Sequence, residues 1–115
     1  MEKILEDIAG LRGVRGAIII GKDGLPISFV GEFQNDIDFI GACVSEFCFA
    51  AESMTSERFQ AGHAKEISIV SETRLIHLFD VNDDALLAIV TDDSCNRGLA
   101  TLEGRRAAAL LKEIL

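Results

Sequence analysis

The chain contains no tryptophan and no tyrosine, one proline and three cysteines, and it is short of positive charge. An odd number of cysteines without a CxxC pair argues against a disulfide framework or a zinc knuckle. Cys43, Cys48 and Cys95 are therefore expected as reduced, mostly buried thiols. Lysine and arginine number 11 against 19 aspartates and glutamates, a net charge of −8. Such a surface repels nucleic-acid backbone and anionic lipid at long range, so neither is expected as the main partner.

Long apolar runs are also missing. The longest, Ala85 to Val90 and Ala107 to Leu111, fall far short of the roughly 18 residues of a membrane span, and no direct membrane insertion is expected. The amino-terminal MEKILEDIAG carries acids within an amphipathic pattern, unlike a secretory or transit peptide. A cytoplasmic location follows as the expectation.

Signatures of enzymatic sites are scarce. GLRGVRG lacks the spacing of a phosphate-cradling loop. DVNDDA starts like a calcium loop but has Ala85 where glycine is required and Thr91 where a bidentate glutamate is required, so it reads as a hairpin turn. His63 and His77 have no ligand partners at metal spacing, and His77 shares a strand face with Leu75 and Phe79 as a structural imidazole would. Ser28, Ser45 and Ser94 stand in no nucleophile elbow. Cys95 lies near a helix start, but Asp92 and Asp93 oppose a lowered thiol pKa. No catalytic residue, cofactor or metal is expected.

What the sequence does hold is a folded pattern: 115 residues, 49% hydrophobic, read as one domain over residues 1–115. Ile4, Leu5, Ile8 and Leu11 form a helical stripe. Two apolar runs, Ala17 to Ile20 and Ile27 to Val30, flank a Lys22-Asp23-Gly24 turn and predict a β-hairpin whose second strand, opened by Pro26, lies at a sheet edge. Asn35, Asp36 and Asp38 supply the cap and first-turn acids of a long helix over about residues 36 to 58. KEISIVSE, RLIHLFDV and ALLAIV then predict a three-stranded meander. A last helix, capped by Ser94 or Asn96, carries Leu99, Leu102, Ala109, Leu110 and Ile114 on one side, and Gly104 within it marks a possible close approach.

The element order is αββαβββα. The uninterrupted apolar runs AIII and ALLAIV suit central strands covered on both faces, which joins the two sheet pieces in the order 2-1-5-4-3. The predicted fold is thus an α/β (α+β) sandwich with a five-stranded antiparallel sheet and helices on both faces. Its free edge is the third strand, with Ile67, Ser68, Ile69 and Val70 available to pair with another chain.

The middle helix poses a specific question. With Ile37 at 0°, Ile40, Cys43, Val44, Phe47, Cys48, Ala51 and Met54 fall between about 240° and 20°, an arc expected to face the sheet. Phe49 falls near 120°, outside that arc. With Ala42, Ser45 and Ser53 it defines a second face suited to a symmetry mate or a partner protein, against the simpler reading of a lone exposed ring. Arg97, Arg105 and Arg106 are the main basic cluster and candidate contacts for an acidic partner, against the simpler reading of a solvated helix face.

The element order, GVRGAIIIGKDGLPIS, the long middle helix, FQAGHAKEISIVSE and LLAIVTDDSCNRGLATLEGRR together resemble the roadblock/dynein light chain family, in its prokaryotic branch of small GTPase partners. The resemblance implies a sandwich of the roadblock, longin and profilin type and a homodimer through the middle helix and third strand. It also implies a dimer surface that binds or regulates a Ras-like GTPase. Two further functions are compatible with the residues: a scaffold subunit in a motor or trafficking complex, and a small-molecule sensor using a pocket between sheet and helix.

Overall fold

A computed structural model describes residues 1–33 and 36–115. Asn35, one of the residues expected to open the middle helix, lies outside them. Three α-helices and five strands follow in the expected order: α1 Glu2–Ala9, β1 Val14–Gly21, β2 Pro26–Gly31, α2 Ile37–Ser53, β3 Glu66–Val70, β4 Leu75–Asp80, β5 Ala85–Thr91 and α3 Arg97–Ile114. α2 runs on into a π-helical turn, Met54–Arg58, so the helical stretch ends where the sequence placed it. Asn96 caps α3, its side chain accepting from the Leu99 amide at 3.0 Å.

The sheet is antiparallel throughout and ordered β2-β1-β5-β4-β3, as expected. β1 and β5 sit at its centre, with Ile18 opposite Ala88 and Ile19 opposite Leu87. Both strands are apolar on successive residues because each face is covered. β2 is an edge whose ladder shifts register between Ile19 and Ile20, where Pro26 enters opposite Ile20. Proline and bulge together twist that end away from further pairing.

On one face Leu5 and Ile8 of α1 and Ala107, Ala108 and Leu111 of α3 pack on Ala17, Ile19, Phe79, Leu87 and Ile89. α3 turns its small residues inward, burying Ala100, Gly104, Ala107, Ala108 and Leu111. The stripe of Leu99, Leu102, Leu110 and Ile114 read from the sequence points outward instead. The cause is distance: the helix lies so low on the Phe79 ring that only glycine fits at position 104.

The other face carries Ile18, Ile20, Leu78, Leu86 and Ala88, with Ile37, Val44, Cys48, Ile67 and Ile76 half-buried against them. α2 packs over β1 and β2. The β3 side of this face is covered less, which leaves Ile67, Ile69 and Ile76 half-buried.

His77 is buried on the α3 face and stacks on Phe79, with ring centroids 6.3 Å apart. The stretch from Val81 to Asp84 is a tight turn in which Val81 donates to the Ala85 carbonyl at 3.1 Å and Asp84 to the Asn82 side chain at 2.9 Å. No helix among the described residues is long and apolar enough to cross a membrane.

Candidate functional site

α2 starts at Asp36, whose carboxylate accepts from the Asp38 amide at 2.9 Å. Further along, Gly41 rests on the β1–β2 turn. A Cβ there would stand 2.6 Å from the Gly24 carbonyl oxygen, so the helix can approach this closely only at glycine. Ser45 fastens the same contact by donating its hydroxyl to the Lys22 carbonyl at 2.6 Å. The line that meets the sheet and hairpin is therefore Ile37, Gly41, Val44, Ser45 and Cys48.

This seat turns the helix by roughly 70° from the arc expected on apolar periodicity. Phe47, assigned to the sheet by that reading, lies on a flank and remains 43% exposed. Cys43 is exposed as well, and Cys48 and Cys95 are half-buried, so the expectation of mostly buried thiols is corrected. Burial raises the Cys48 thiol pKa. Burial and the nearby Asp92 raise that of Cys95.

The outer surface of α2 is aromatic. Phe39 is 70% and Phe49 80% exposed, and Met54 is exposed on the Phe47 flank. Single exposed rings are ordinary, and these are spread over the outer half of the helix, Phe49 and Phe47 on opposite flanks. Ala42 is exposed near Gly24, Ser53 is half-buried, and Ser45 is engaged with the hairpin. Of the four residues expected to form a second face, Phe49 is the one that projects.

The β3 edge lies beyond the open part of the same sheet face. Pairing of Ile67 with Leu78 and Ile69 with Ile76 places both isoleucines on the α2 side. Ser68 and Val70 alternate to the α3 side and are exposed. Glu66 at the strand start is gripped by Arg105 of α3 through bonds of 2.6 and 3.0 Å, which lowers the Glu66 pKa. Arg105 is thus an internal clasp. Arg106 stands 3.6 Å from Glu103, and Arg97 makes no ion pair among the described residues.

A second clasp closes the loop between α2 and β3. Glu52 accepts from the Ser56 hydroxyl at 2.6 Å, His63 Nδ1 at 3.1 Å and the Ala64 amide at 3.1 Å. These bonds, Ser56 foremost, hold its carboxyl below the usual range. Serine, histidine and glutamate meet here, yet the hydroxyl bonds the carboxylate and not the imidazole, so the serine–histidine–acid order of a triad is not formed. Sequence reading missed this cluster because its members are joined by a loop with no periodic pattern. Among the described residues no three metal-ligating side chains converge.

The comparisons with known proteins follow the same architecture. A family model described as the Roadblock/LC7 domain matches residues 1–91. The chain belongs to this family. A relative from Methanocaldococcus jannaschii, itself uncharacterised, is 30% identical over 112 residues, covering 97% of this chain and 93% of its own. Among solved structures, the Roadblock/LC7 domain from Streptomyces avermitilis superposes with a TM-score of 0.90 at 13% identity, covering 99% of this chain and 96% of that one. Gliding protein MglB from Thermus thermophilus gives 0.86 at 21%, covering 98% and 86%. Profilin II from Acanthamoeba castellanii gives 0.62 at 19%, covering 92% and 93%. At these identities the likeness is one of fold. Within the roadblock fold of this chain, Phe49 of α2 and Ile67 of β3 line one cleft on the incompletely covered sheet face.

Proposed function

We propose that this roadblock domain is a homodimeric platform that binds a small Ras-like GTPase in the cytoplasm. The observation that carries the reading is the apolar outer surface of α2 beside the unpaired β3 edge. Phe47, Ile40, Cys43 and Met54 share one flank of α2, and Ile67, Ile69 and Ile76 stay half-buried on the sheet face toward the β3 edge. A second copy brought in by β3 pairing covers both. Burying the part of Phe47 that is still exposed, 43%, contributes about 1 kcal/mol per copy in such a seam.

Phe49 lies on the opposite flank, about 160° around the helix from Phe47, and stays available once the seam is formed. It is the leading contact for the GTPase, with Ala42 and Ser53 beside it, and Arg97, which makes no ion pair among the described residues, meets an acidic group of the partner. The chain donates no catalytic residue. Any effect on hydrolysis comes from a rigid surface that repositions the GTPase's own switch loops. Support for the partner class comes from the family resemblance and the MglB-like fold.

The test is co-purification with small GTPases loaded with GTP or GDP analogues, beside light scattering of the chain alone. A dimer that retains a GTPase in one nucleotide state supports the reading, whereas a monomer that retains none removes it.

A further inference from the structure

A cleft of about 130 Å³ opens between α2 and the β3–β4 end of the sheet. That is about the volume that holds one benzene ring. Its floor is apolar: Cys48, Ile67, Leu78 and Leu86 line it, and Phe49 stands at the mouth. The walls are held before any ligand arrives. Ser45 ties α2 to the β1–β2 turn, and Glu52 ties the end of α2 to the chain at His63 and Ala64.

The charges around the rim are almost all engaged. Lys22 Nζ meets Asp80 at 2.5 Å, Glu66 is held by Arg105, and the Glu52 carboxylate already receives three donors. Lys65 lines the same cleft and makes no ion pair or side-chain hydrogen bond among the described residues. An entering ligand therefore finds one group still able to reward a new contact, and that group is a donor with positive charge.

We propose that this cleft binds a small apolar carboxylic acid: one aromatic ring, or a short branched chain of similar volume, ending in a carboxylate. The apolar body fills the floor, and the carboxylate takes the Lys65 ammonium at the mouth. The Phe49 ring, 80% exposed, is free to change rotamer and fold over the ligand. The site shares Phe49 with the proposed GTPase contact and Ile67 with the proposed seam, but ligand binding is read with no GTPase present, so its failure is distinguishable from failure of that reading.

The chain has no tryptophan or tyrosine to report binding by fluorescence, so the experiment is an amide NMR titration of the full chain with phenylacetate, benzyl alcohol and phenethylamine. Phenylacetate is expected to shift Phe49, Lys65, Glu66, Ile67 and Leu78 saturably, and to bind at least about tenfold more tightly than the amine. Lys65→Gln should reduce the acid to the affinity of the alcohol. Cys48→Phe, which fills the floor, should abolish binding of all three. Absence of saturable shifts, equal binding of acid and amine, or unchanged acid affinity in Lys65→Gln overturns the proposal. If Cys48→Phe does not fold, the ligand series and Lys65→Gln still decide it.

Discussion

Gly104 of α3 lies directly against the ring of Phe79 on β4. A Cβ at position 104 would fall among the ring carbons, with Cε2 at 2.5 Å, and the ring itself is buried. Two effects oppose each other in Gly104→Ala. Alanine gains about 1 kcal/mol of helix propensity, while an added group in a packed core costs about 1–3 kcal/mol. Several ring atoms are obstructed at once and the ring has little room to retreat, so the clash wins. Denaturant titration should show net destabilisation, with a lowered midpoint and unchanged slope.

Phe47 provides the corresponding test on the other face of the sheet. It is half-exposed, so a charge there costs the isolated protomer little. In the proposed seam it would be desolvated. Phe47→Asp is expected to weaken self-association by at least about tenfold, seen by light scattering across a dilution series, with the helical circular dichroism spectrum unchanged. An unaltered dimer would remove this flank from the interface.

The strand edge can be probed separately. Ser68 and Val70 are exposed on β3, and lysines at an edge discourage pairing with another chain. The double substitution Ser68→Lys with Val70→Lys should shift the chain toward monomer while the melting temperature of the protomer moves little. A fully retained dimer would show that β3 pairing contributes nothing.

His77 predicts a pH dependence. Burial lowers its pKa, with the Arg97 charge a second cause, and its Nε2 has no hydrogen-bond partner among the described residues. The unfolded chain therefore takes up the proton first as pH falls below about 6.5. Stability is fully present above that value and declines as pH drops toward the lower folded pKa. Denaturation midpoints between pH 7.5 and 5.5 should fall in the native chain and stay flatter in His77→Leu. Glu52, Glu66 and Asp92, whose pKa values are also lowered, contribute their losses at more acid pH, beginning in the ordinary carboxylate range and continuing down to their lower folded pKa values.

Much of this fold is written in local pattern. The runs around Ile18 and Leu87 mark central strands because both their faces are covered, and Pro26 marks an edge because it lacks a donor. Helix rotation is less legible. Apolar periodicity places Phe47 and Leu102 on core-facing stripes, yet α2 seats at Gly41 and α3 at Gly104, where absent side chains allow close approach. A glycine inside each helix was the available signal, and it competes with larger residues that attract more notice. The candidate site divides in the same way. Phe49 and the β3 edge follow from spacing. The Glu52 clasp and the Lys65 cleft depend on residues brought together by a loop.

Binding of a small GTPase to this surface, as proposed above, should turn on Phe49. The native chain and Phe49→Asp are immobilised and presented with small GTPases loaded with GTP or GDP analogues. The account predicts retention by the native chain with a preference for one nucleotide state, and loss of that retention in Phe49→Asp while its assembly state stays native. Retention of no GTPase by the native chain, or equal retention by both forms, would contradict it.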